Sequence, residues 1–259
     1  MKNTTKIKQI IKSSSVKKDS ASLADLATSE LRNKILDLSL TPSEHLEERM
    51  LLERFPFGRT PIREALNRLM AEGLVETKNG RGAYVASMSI WHTLQLLEAY
   101  VISERVVASL IKFDDVNLIS DLEAIQTEYE SVSKNADILG ITEKNNRFHR
   151  RLAQATGNRF IIAQHADLHN LARRLSFFVY SSENVSAKEF NLQVSRITRQ
   201  HYEIIGFIQS QNRSELVSLI TEHAVLFRLR LSAVIGGAAD KEIDFSEKSK
   251  LSESLINGG

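Results

Sequence analysis

Apolar residues recur at helical spacing along most of the chain, and the clearest case begins at Arg59. The residues that follow fill the i, i+3, i+4, i+7 and i+8 positions of a one-sided apolar stripe: Ile62, Ala65, Leu66, Leu69 and Met70. Pro61 is tolerated only in the first turn of a helix, where its missing N–H would be unpaired anyway. We therefore expect a helix that begins with Gly58 or Thr60 as its N-cap and ends at Gly73.

A β-hairpin is predicted directly after this helix. Two short strand-like runs, Leu74–Lys78 and Ala83–Val85, flank the sequence Asn79-Gly80-Arg81-Gly82, and Asn-Gly between such runs is a strong hairpin signal. Upstream, Leu23–Leu38 and Leu46–Phe55 show helical patterns separated by Thr41-Pro42-Ser43. Three short helices and a hairpin in about 65 residues predict a winged helix-turn-helix domain over residues 21–88.

The pattern changes from Ser89 onward, where long amphipathic helical segments follow one another without proline. Six helices are predicted, at 89–112, 114–134, 137–156, 158–181, 187–210 and 212–234. The fold class is thus mainly α, with the winged helix-turn-helix followed by an all-α antiparallel helical bundle over residues 89–235. Residues 1–20 are interpreted as a disordered basic tail and residues 236–259 as a flexible tail.

Composition narrows the function classes only slightly. The 259 residues include 42% hydrophobic residues, enough for real cores, and no cysteine, which excludes disulfides and thiolate metal sites. No apolar run approaches the roughly 20 residues that span a bilayer, and Met1–Ser20 lacks the apolar core of a signal peptide. We therefore expect a cytoplasmic protein without membrane contacts. The net charge of +2 says little by itself, but residues 1–88 carry 15 lysines and arginines against 11 acidic residues.

The helix and hairpin carry side chains suited to double-stranded DNA. Arginine donates two hydrogen bonds to guanine or pairs with phosphates, and the first turn of a recognition helix is where such contacts are made. The predicted DNA-binding residues are Arg49, Arg59, Thr60 and Arg63 on the helices and Asn79, Gly80 and Arg81 at the hairpin tip. The hairpin residues are expected to enter the adjoining minor groove, with glycine permitting a close approach.

Two polar pairs in the bundle have the i, i+4 spacing of metal ligands. They are Asn145 with His149, and His165 with His169. Three neutral imidazoles converging from different helices would suit zinc, nickel or another borderline divalent ion. Spacing alone cannot show convergence, so both pairs stay open at this point.

The N-terminal motifs resemble those of GntR-family transcriptional regulators. The resemblance lies in Arg59-Thr60-Pro61-Ile62-Arg63-Glu64-Ala65-Leu66, then Glu72-Gly73-Leu74-Val75, and then Gly80-Arg81-Gly82-Ala83-Tyr84-Val85. It implies DNA contacts by Arg49, Arg59 and Arg63 and wing-tip contacts by Asn79 and Gly80. Two departures stand out, because Pro42-Ser43 replaces a usual Pro-Gly turn and Gly58 replaces a usual serine cap.

The C-terminal motifs resemble the FCD ligand-binding domain of the FadR subgroup. The sequence NNRFHRRLAQATGN over Asn145–Asn158, with Gln200-His201 and His223, carries this resemblance. Many members of that subgroup bind a metal through an acidic residue and three histidines, which implies His149, His201 and His223 here, with Asn145 at the acidic position. An amide oxygen can coordinate a metal but adds no negative charge, so the expected affinity is lower than with aspartate.

The same resemblance implies a small-molecule effector, such as an organic acid. Many relatives carry an arginine four residues before the glutamate that is Glu104 here, but this chain has Tyr100. Tyr100, Arg173 and Arg174 are therefore predicted as effector-binding residues, together with the metal.

The resulting functional hypothesis is a ligand-responsive transcriptional regulator, a repressor that binds a palindromic operator as a homodimer. A metal-dependent enzyme built on the histidines is the alternative. No paired catalytic carboxylates, nucleophile elbow or phosphate-binding glycine loop accompanies the histidines, so the chain is not expected to be an enzyme.

Overall fold

The computed structural model describes residues 21–78, 80–181 and 186–237, with the backbone alone at Arg81 and at 235–237. The predicted basic tail at residues 1–20 lies outside this part, as do Asn79 and residues 238–259 of the predicted C-terminal tail. The sequence analysis predicted that this tail begins at residue 236, but the last helix continues to Gly237. Within the described residues, no helix is both long enough and apolar enough to cross a membrane.

From residue 21, where the described part of the chain begins, the N-terminal unit consists of three helices and a hairpin. Its elements are α1 (Leu23–Leu36), α2 (Glu48–Arg54), α3 (Arg59–Ala71), β1 (Val75–Lys78) and β2 (Arg81–Val85). The predicted apolar stripe of α3 is buried against α1 and α2 in one core that also includes Leu31, Ile35 and Leu51. Gly58 is the N-cap of α3 without a side-chain cap bond, as the sequence allowed.

The hairpin pairs Val75 with Val85 and Lys78 with Arg81, which leaves Asn79 and Gly80 between the strands. Gly82 has φ near +70°, and a Cβ there would lie 2.7 Å from the His45 ring nitrogen Nε2. Any larger residue would therefore collide with His45, which also stacks on Tyr84 at 4.6 Å between ring centroids. This contact ties the base of the wing to the segment before α2.

Ser43, which stands where a glycine is usual in the Pro-Gly turn, adopts a left-handed backbone conformation. Its φ is +66°, in the left-handed region where glycine costs nothing and other residues are strained. Its backbone N–H nevertheless donates to Val85 O at 2.9 Å, so the turn keeps its connection to the wing.

Over residues 90–181 and 186–237, the C-terminal unit is a bundle of six helices whose bounds follow the predicted ones closely. They are α4 (Ile90–Leu110), α5 (Leu118–Lys134), α6 (Ile138–Gln154), α7 (Arg159–Tyr180), α8 (Ala187–Gln209) and α9 (Arg213–Gly237). Neighbours joined by short connections, such as α5 with α6 and α6 with α7, pack side by side and so run antiparallel. Mainly α, with a winged helix-turn-helix and a helical bundle, is thus confirmed as the fold class.

Helix α7 joins the two units. Leu171 packs against the N-terminal core and lies 3.4 Å from where a Cβ of Gly73 would be. Three residues later, the Arg174 guanidinium donates to Ala86 O, just after β2, at 2.7 Å. The helix therefore contacts both the end of α3 and the base of the wing.

Candidate functional site

Three buried histidines from three helices converge at the centre of the bundle. They are His149 on α6, His201 on α8 and His223 on α9, and one ring nitrogen of each lies within 4.8 Å of those of the other two. His149 and His201 are fully buried and His223 is 8% exposed. The structure thus brings together the three histidines that the resemblance implied.

The other ring nitrogen of each histidine has a fixed acceptor. His149 Nδ1 lies 3.1 Å from Glu104 Oε2 on α4, His201 Nδ1 lies 2.7 Å from Gln126 Oε1 on α5, and His223 Nδ1 lies 2.9 Å from Gln200 Oε1. Carboxylate and amide oxygens only accept hydrogen bonds, so each Nδ1 carries the proton. The Nε2 lone pairs are therefore free for a ligand, which is the arrangement that outer-shell partners impose on metal-binding histidines.

Burial keeps the imidazoles of His201 and His223 neutral. Desolvation, reinforced by His149, lowers the pKa of His223 to about 3. Desolvation, with the charges of His223 and His149, holds the pKa of His201 well below its ordinary value. Protons therefore do not compete for the nitrogens of His201 and His223 near neutral pH.

Buried polar atoms without a hydrogen-bond partner at this centre favour a bound metal ion. Among the described residues, His149 Nε2, His201 Nε2 and Asn145 Oδ1 are buried without a hydrogen-bond partner. An unsatisfied buried polar atom costs about 1–3 kcal/mol, and a shared cation would satisfy all three atoms. Asn145 precedes His149 by one helical turn on α6, so both side chains lie on the same face. The donor set fits a zinc-class ion with three imidazole ligands and a weaker oxygen ligand.

A cavity of about 190 Å³ adjoins this centre and is lined by both His223 and Asn145. Two arginines, Arg196 on α8 and Arg230 on α9, also line it. The Arg230 guanidinium lies 4.8 Å from the Tyr180 ring centroid and donates to Gln193, while its buried Nε has no partner in the part of the chain described. Sites for drug-sized ligands span roughly 300–1,000 Å³, so this cavity suits a smaller molecule with an anionic group.

The predicted effector residues divide between two places. Tyr100 lines the cavity, and its ring centroid lies 4.8 Å from that of His169. The structure does not bring Arg173 and Arg174 there, because both project from α7 toward the N-terminal unit. Burial lowers the pKa of each to about 10, with Glu143 the largest opposing charge for Arg173 and Glu76 for Arg174. Arg196 and Arg230 line the cavity instead, where the sequence analysis expected Arg173 and Arg174.

Sequence reasoning missed Gln126 and the central role of Glu104. Glu104 lies on the buried stripe of α4 with Leu97, Tyr100, Val107 and Ala108, and Gln126 lies on that of α5 with Leu122, Ile125 and Tyr129. A polar residue on a buried helical stripe is the signal that could have found both, since such a group must be hydrogen-bonded inside the protein.

The predicted DNA-contacting arginines form an exposed face on the N-terminal unit. The side chains of Arg49, Arg59 and Arg63 are 84%, 76% and 65% exposed. Arg63 donates to Glu48 at 2.8 Å, Arg59 lies 3.7 Å from the same carboxylate, and Arg49 pairs with Glu53. Thr60 is exposed in the first turn of α3, and Gly80 is exposed at the wing tip with φ near +68°. Asn79 and the side chain of Arg81 lie outside what the structure describes.

Comparisons with known proteins agree with both halves of this arrangement. Residues 23–85 match the family described as bacterial regulatory proteins, gntR family, and residues 95–225 match the FCD domain. The chain is 29% identical to the HTH-type transcriptional repressor GlaR of Escherichia coli K12, over 57% of this chain and 69% of that protein. It is 28% identical to the HTH-type transcriptional repressor NanR of Enterobacter sp. strain 638, over 78% and 82% respectively.

A solved structure of a GntR transcriptional regulator from Rhodococcus sp. RHA1 has the same fold. It superposes with a TM-score of 0.63 at 17% identity, over 83% of this chain and 99% of that one.

Proposed function

The chain belongs to the gntR family of bacterial regulatory proteins and carries an FCD domain, and from this premise we propose that it is a cytoplasmic, metal-assisted, acid-responsive repressor. It would bind a palindromic DNA operator as a homodimer and release it when a small organic acid enters the bundle. One observation carries the proposal: three buried histidine nitrogens converge beside a cavity lined by two arginines, in a chain that also presents an arginine face. The relatives GlaR and NanR are named as repressors, which supports repression over activation.

Membership of this family removes the alternative of a metal-dependent enzyme. The family consists of regulatory proteins, and the winged helix-turn-helix has no role in catalysis. The histidines are better interpreted as part of a binding site.

The residues that would hold the metal are Asn145, His149, His201 and His223, and zinc or nickel suits their donor set best. When bound, the ion would supply a Lewis-acidic position for an effector carboxylate at the cavity wall. Arg230, held by Gln193 and the Tyr180 ring, would orient the other end of the effector through charge-assisted hydrogen bonds. Tyr100 would fill the space that an arginine occupies in many relatives.

Helix α7 offers a direct route from the cavity to the DNA-binding unit. Ser176 and Tyr180 on α7 line the cavity, whereas Leu171 and Arg174 on the same helix contact the N-terminal unit. A small displacement of α7 by the effector would therefore change how the two units are held together. A coupling free energy of about 1–3 kcal/mol suffices for a regulatory response.

The effector site is tested by the variant Arg230→Met. Loss of a charge-assisted hydrogen bond of about 1.5–3 kcal/mol should raise the acid concentration that releases the operator by about 10–150-fold. Operator affinity without acid should stay unchanged, because Arg230 lies in the bundle. The measurement is fluorescence anisotropy of labelled operator DNA against a panel of small carboxylic and sugar acids.

The matched control is Arg228→Met, an exposed arginine two residues earlier on α9. Equal acid responses of both variants and the wild type would remove Arg230 from the effector site. If no acid in the panel releases DNA from the wild type, the proposed effector class is wrong.

An exposed apolar stripe on α4 supports the homodimer. Its members are Trp91, Leu94, Ile102, Val106 and Leu110, which are between 38% and 67% exposed and spaced mostly by three or four residues or one further turn. Glu98 is exposed between Leu94 and Ile102, so one carboxylate interrupts the stripe. Exposed apolar side chains grouped on one helix face are typical of a protein interface, and paired recognition helices need a dimer to meet two half-sites. A second copy of this chain is the occupant that two-fold symmetry favours.

A charge in this stripe should separate the protomers. The variant Ile102→Glu is expected to sediment as a monomer at micromolar concentration, since the interface would bury an unpaired carboxylate. Val116→Glu is the control, because Val116 is 90% exposed outside the stripe. A wild-type chain that sediments as a monomer, or an Ile102→Glu variant that remains dimeric, would contradict this interface.

A further inference from the structure

A second cluster of buried ligand-type side chains lies beside the three histidines. His165 and His169 on α7 are one helical turn apart, and both Nε2 atoms point to the same oxygen, Oε1 of Glu104, at 3.2 and 2.5 Å. The other oxygen, Oε2, lies 3.1 Å from His149 Nδ1. Glu104 and His165 are fully buried and His169 is 3% exposed.

The first site does not account for this cluster. Oε2 of Glu104 alone fixes the tautomer of His149, so that role needs no further residue. Burying two more imidazoles is costly unless their polar atoms are satisfied. Glu104 Oε1 is shared between the Nε2 atoms of both rings, and His165 Nδ1 has no partner within the described residues, so Glu104 alone does not satisfy the pair.

The three donor atoms match the needs of a divalent cation. In the metal-free protein each Nε2–H donates to Glu104 Oε1, so a bound ion would replace these two protons and each ring would carry its proton on Nδ1. Two imidazole nitrogens and one carboxylate oxygen are ligands that zinc, nickel and related ions accept, with a further position for water. In a tetrahedral site with bonds of about 2.0–2.1 Å the ligand atoms lie ~3.3 Å apart. His165 Nε2 already has that separation from Oε1, whereas His169 Nε2 would move outward by less than ~1 Å.

We infer that Glu104, His165 and His169 form a second divalent-metal site, so that the bundle holds two ions linked through Glu104 and His149. This inference extends the proposed function, which places only one ion, at Asn145, His149, His201 and His223. Glu104 is the one carboxylate in hydrogen-bond contact with these histidines in the part of the chain described. Two cations would therefore leave a positive excess, which an anionic effector in the neighbouring cavity would balance.

Ions would reach this cluster through the cavity. Tyr100 lies between it and the cavity, since the Tyr100 ring packs against His169 and also lines the cavity wall. A rotation of Tyr100 would open the cluster to ions entering through the cavity.

The test is the metal stoichiometry of the full-length chain. Protein freed of metal with a chelator is titrated with Co²⁺, followed by visible absorption and by elemental analysis after desalting. We expect two equivalents per chain in the wild type, one in His169→Asn, one in His223→Asn and none in the double variant. His92→Asn, at an exposed histidine, is the matched control and should retain two.

The variants separate this inference from the first metal site. One wild-type equivalent that His169→Asn abolishes and His223→Asn keeps would support the second site and contradict the first. One equivalent that His169→Asn retains, or two that it leaves unchanged, would overturn the inference. If His169→Asn fails to fold by circular dichroism, His165→Asn should give the same stoichiometries.

Glu104→Gln gives a further prediction that a purely structural role would not. The change removes the anionic ligand and weakens the partner of His149. It should abolish the second equivalent and lower the affinity of the first about 10–100-fold. A Glu104→Gln protein that binds two Co²⁺ ions with wild-type affinity would also overturn the inference.

Discussion

Replacing both Arg59 and Arg63 with alanine is expected to weaken operator binding by about 2–6 kcal/mol, if the two losses add. Each side chain projects from the start of α3, is more than half exposed and shares the carboxylate of Glu48 in the free protein. These surface ion pairs are weak enough for DNA to displace, because exposed pairs contribute roughly 0–1 kcal/mol. An arginine that reads a base contributes about 1–3 kcal/mol to the specific site.

The measurement compares operator DNA with unrelated DNA over a series of salt concentrations. Loss of base contacts should reduce the preference for the operator, whereas loss of phosphate contacts should reduce the salt slope, which is near −0.9 per phosphate contacted. The control is the double variant Arg159→Ala and Arg199→Ala, which changes the net charge equally but lies on the bundle. If both double variants lose the same affinity, a general charge effect would replace recognition by α3.

Local patterns predicted most of this fold because helix stripes and hairpin turns are local properties. The six bundle helices begin and end within four residues of the predicted positions, and Gly58 caps α3 as the sequence allowed. The spacing of Asn79-Gly80 likewise predicted the turn between β1 and β2. These features depend on neighbours a few residues apart, which the sequence displays directly.

The site depended on contacts that the sequence does not display. The convergence of His149, His201 and His223 was available only through the family resemblance, since they lie on three separate helices. His165 and His169 had ligand-like spacing, but only tertiary packing brings them to Glu104, more than 60 residues earlier. Sequence spacing could not assign the faces of α7 either, so the placement of Arg174 beside Ala86 was not foreseen.

Acid should destabilise the metal-free bundle strongly. Desolvation and the charge of His165 lower the pKa of His169 to about 3. Desolvation and the charge of His149 lower the pKa of His223 to about 3 as well. Their ordinary value is 6.5. Between pH 3 and pH 6.5 these histidines are protonated in the unfolded chain but remain neutral in the folded chain. The free energy of unfolding is therefore constant above about pH 6.5 and falls as the pH drops below it. At pH 5 the loss is about 2 kcal/mol for each histidine, or ~4 kcal/mol together.

Urea unfolding of chelator-treated protein at pH 7 and pH 5, followed by circular dichroism, measures this loss. Substituting both His169 and His223 with asparagine should reduce the pH dependence by their ~4 kcal/mol, because asparagine does not titrate, whereas His201, whose pKa burial also lowers, keeps its contribution. His92→Asn should leave it unchanged, since that side chain is exposed. A double variant with the wild-type pH dependence would show that other groups cause the acid sensitivity.

Saturating Zn²⁺ separates the effect of protons from that of the metal. A ligand at 100 times its Kd stabilises the folded state by about 2.7 kcal/mol. In the folded protein, His223 stays neutral down to a pH near its lowered pKa of about 3, so protons do not displace the metal from this nitrogen between pH 7 and pH 5. Zinc should therefore raise the unfolding free energy by similar amounts at both pH values and leave the ~4 kcal/mol difference in place. A zinc increment that disappears at pH 5 would mean that the metal-binding nitrogens titrate above that pH, contrary to the burial seen at His201 and His223.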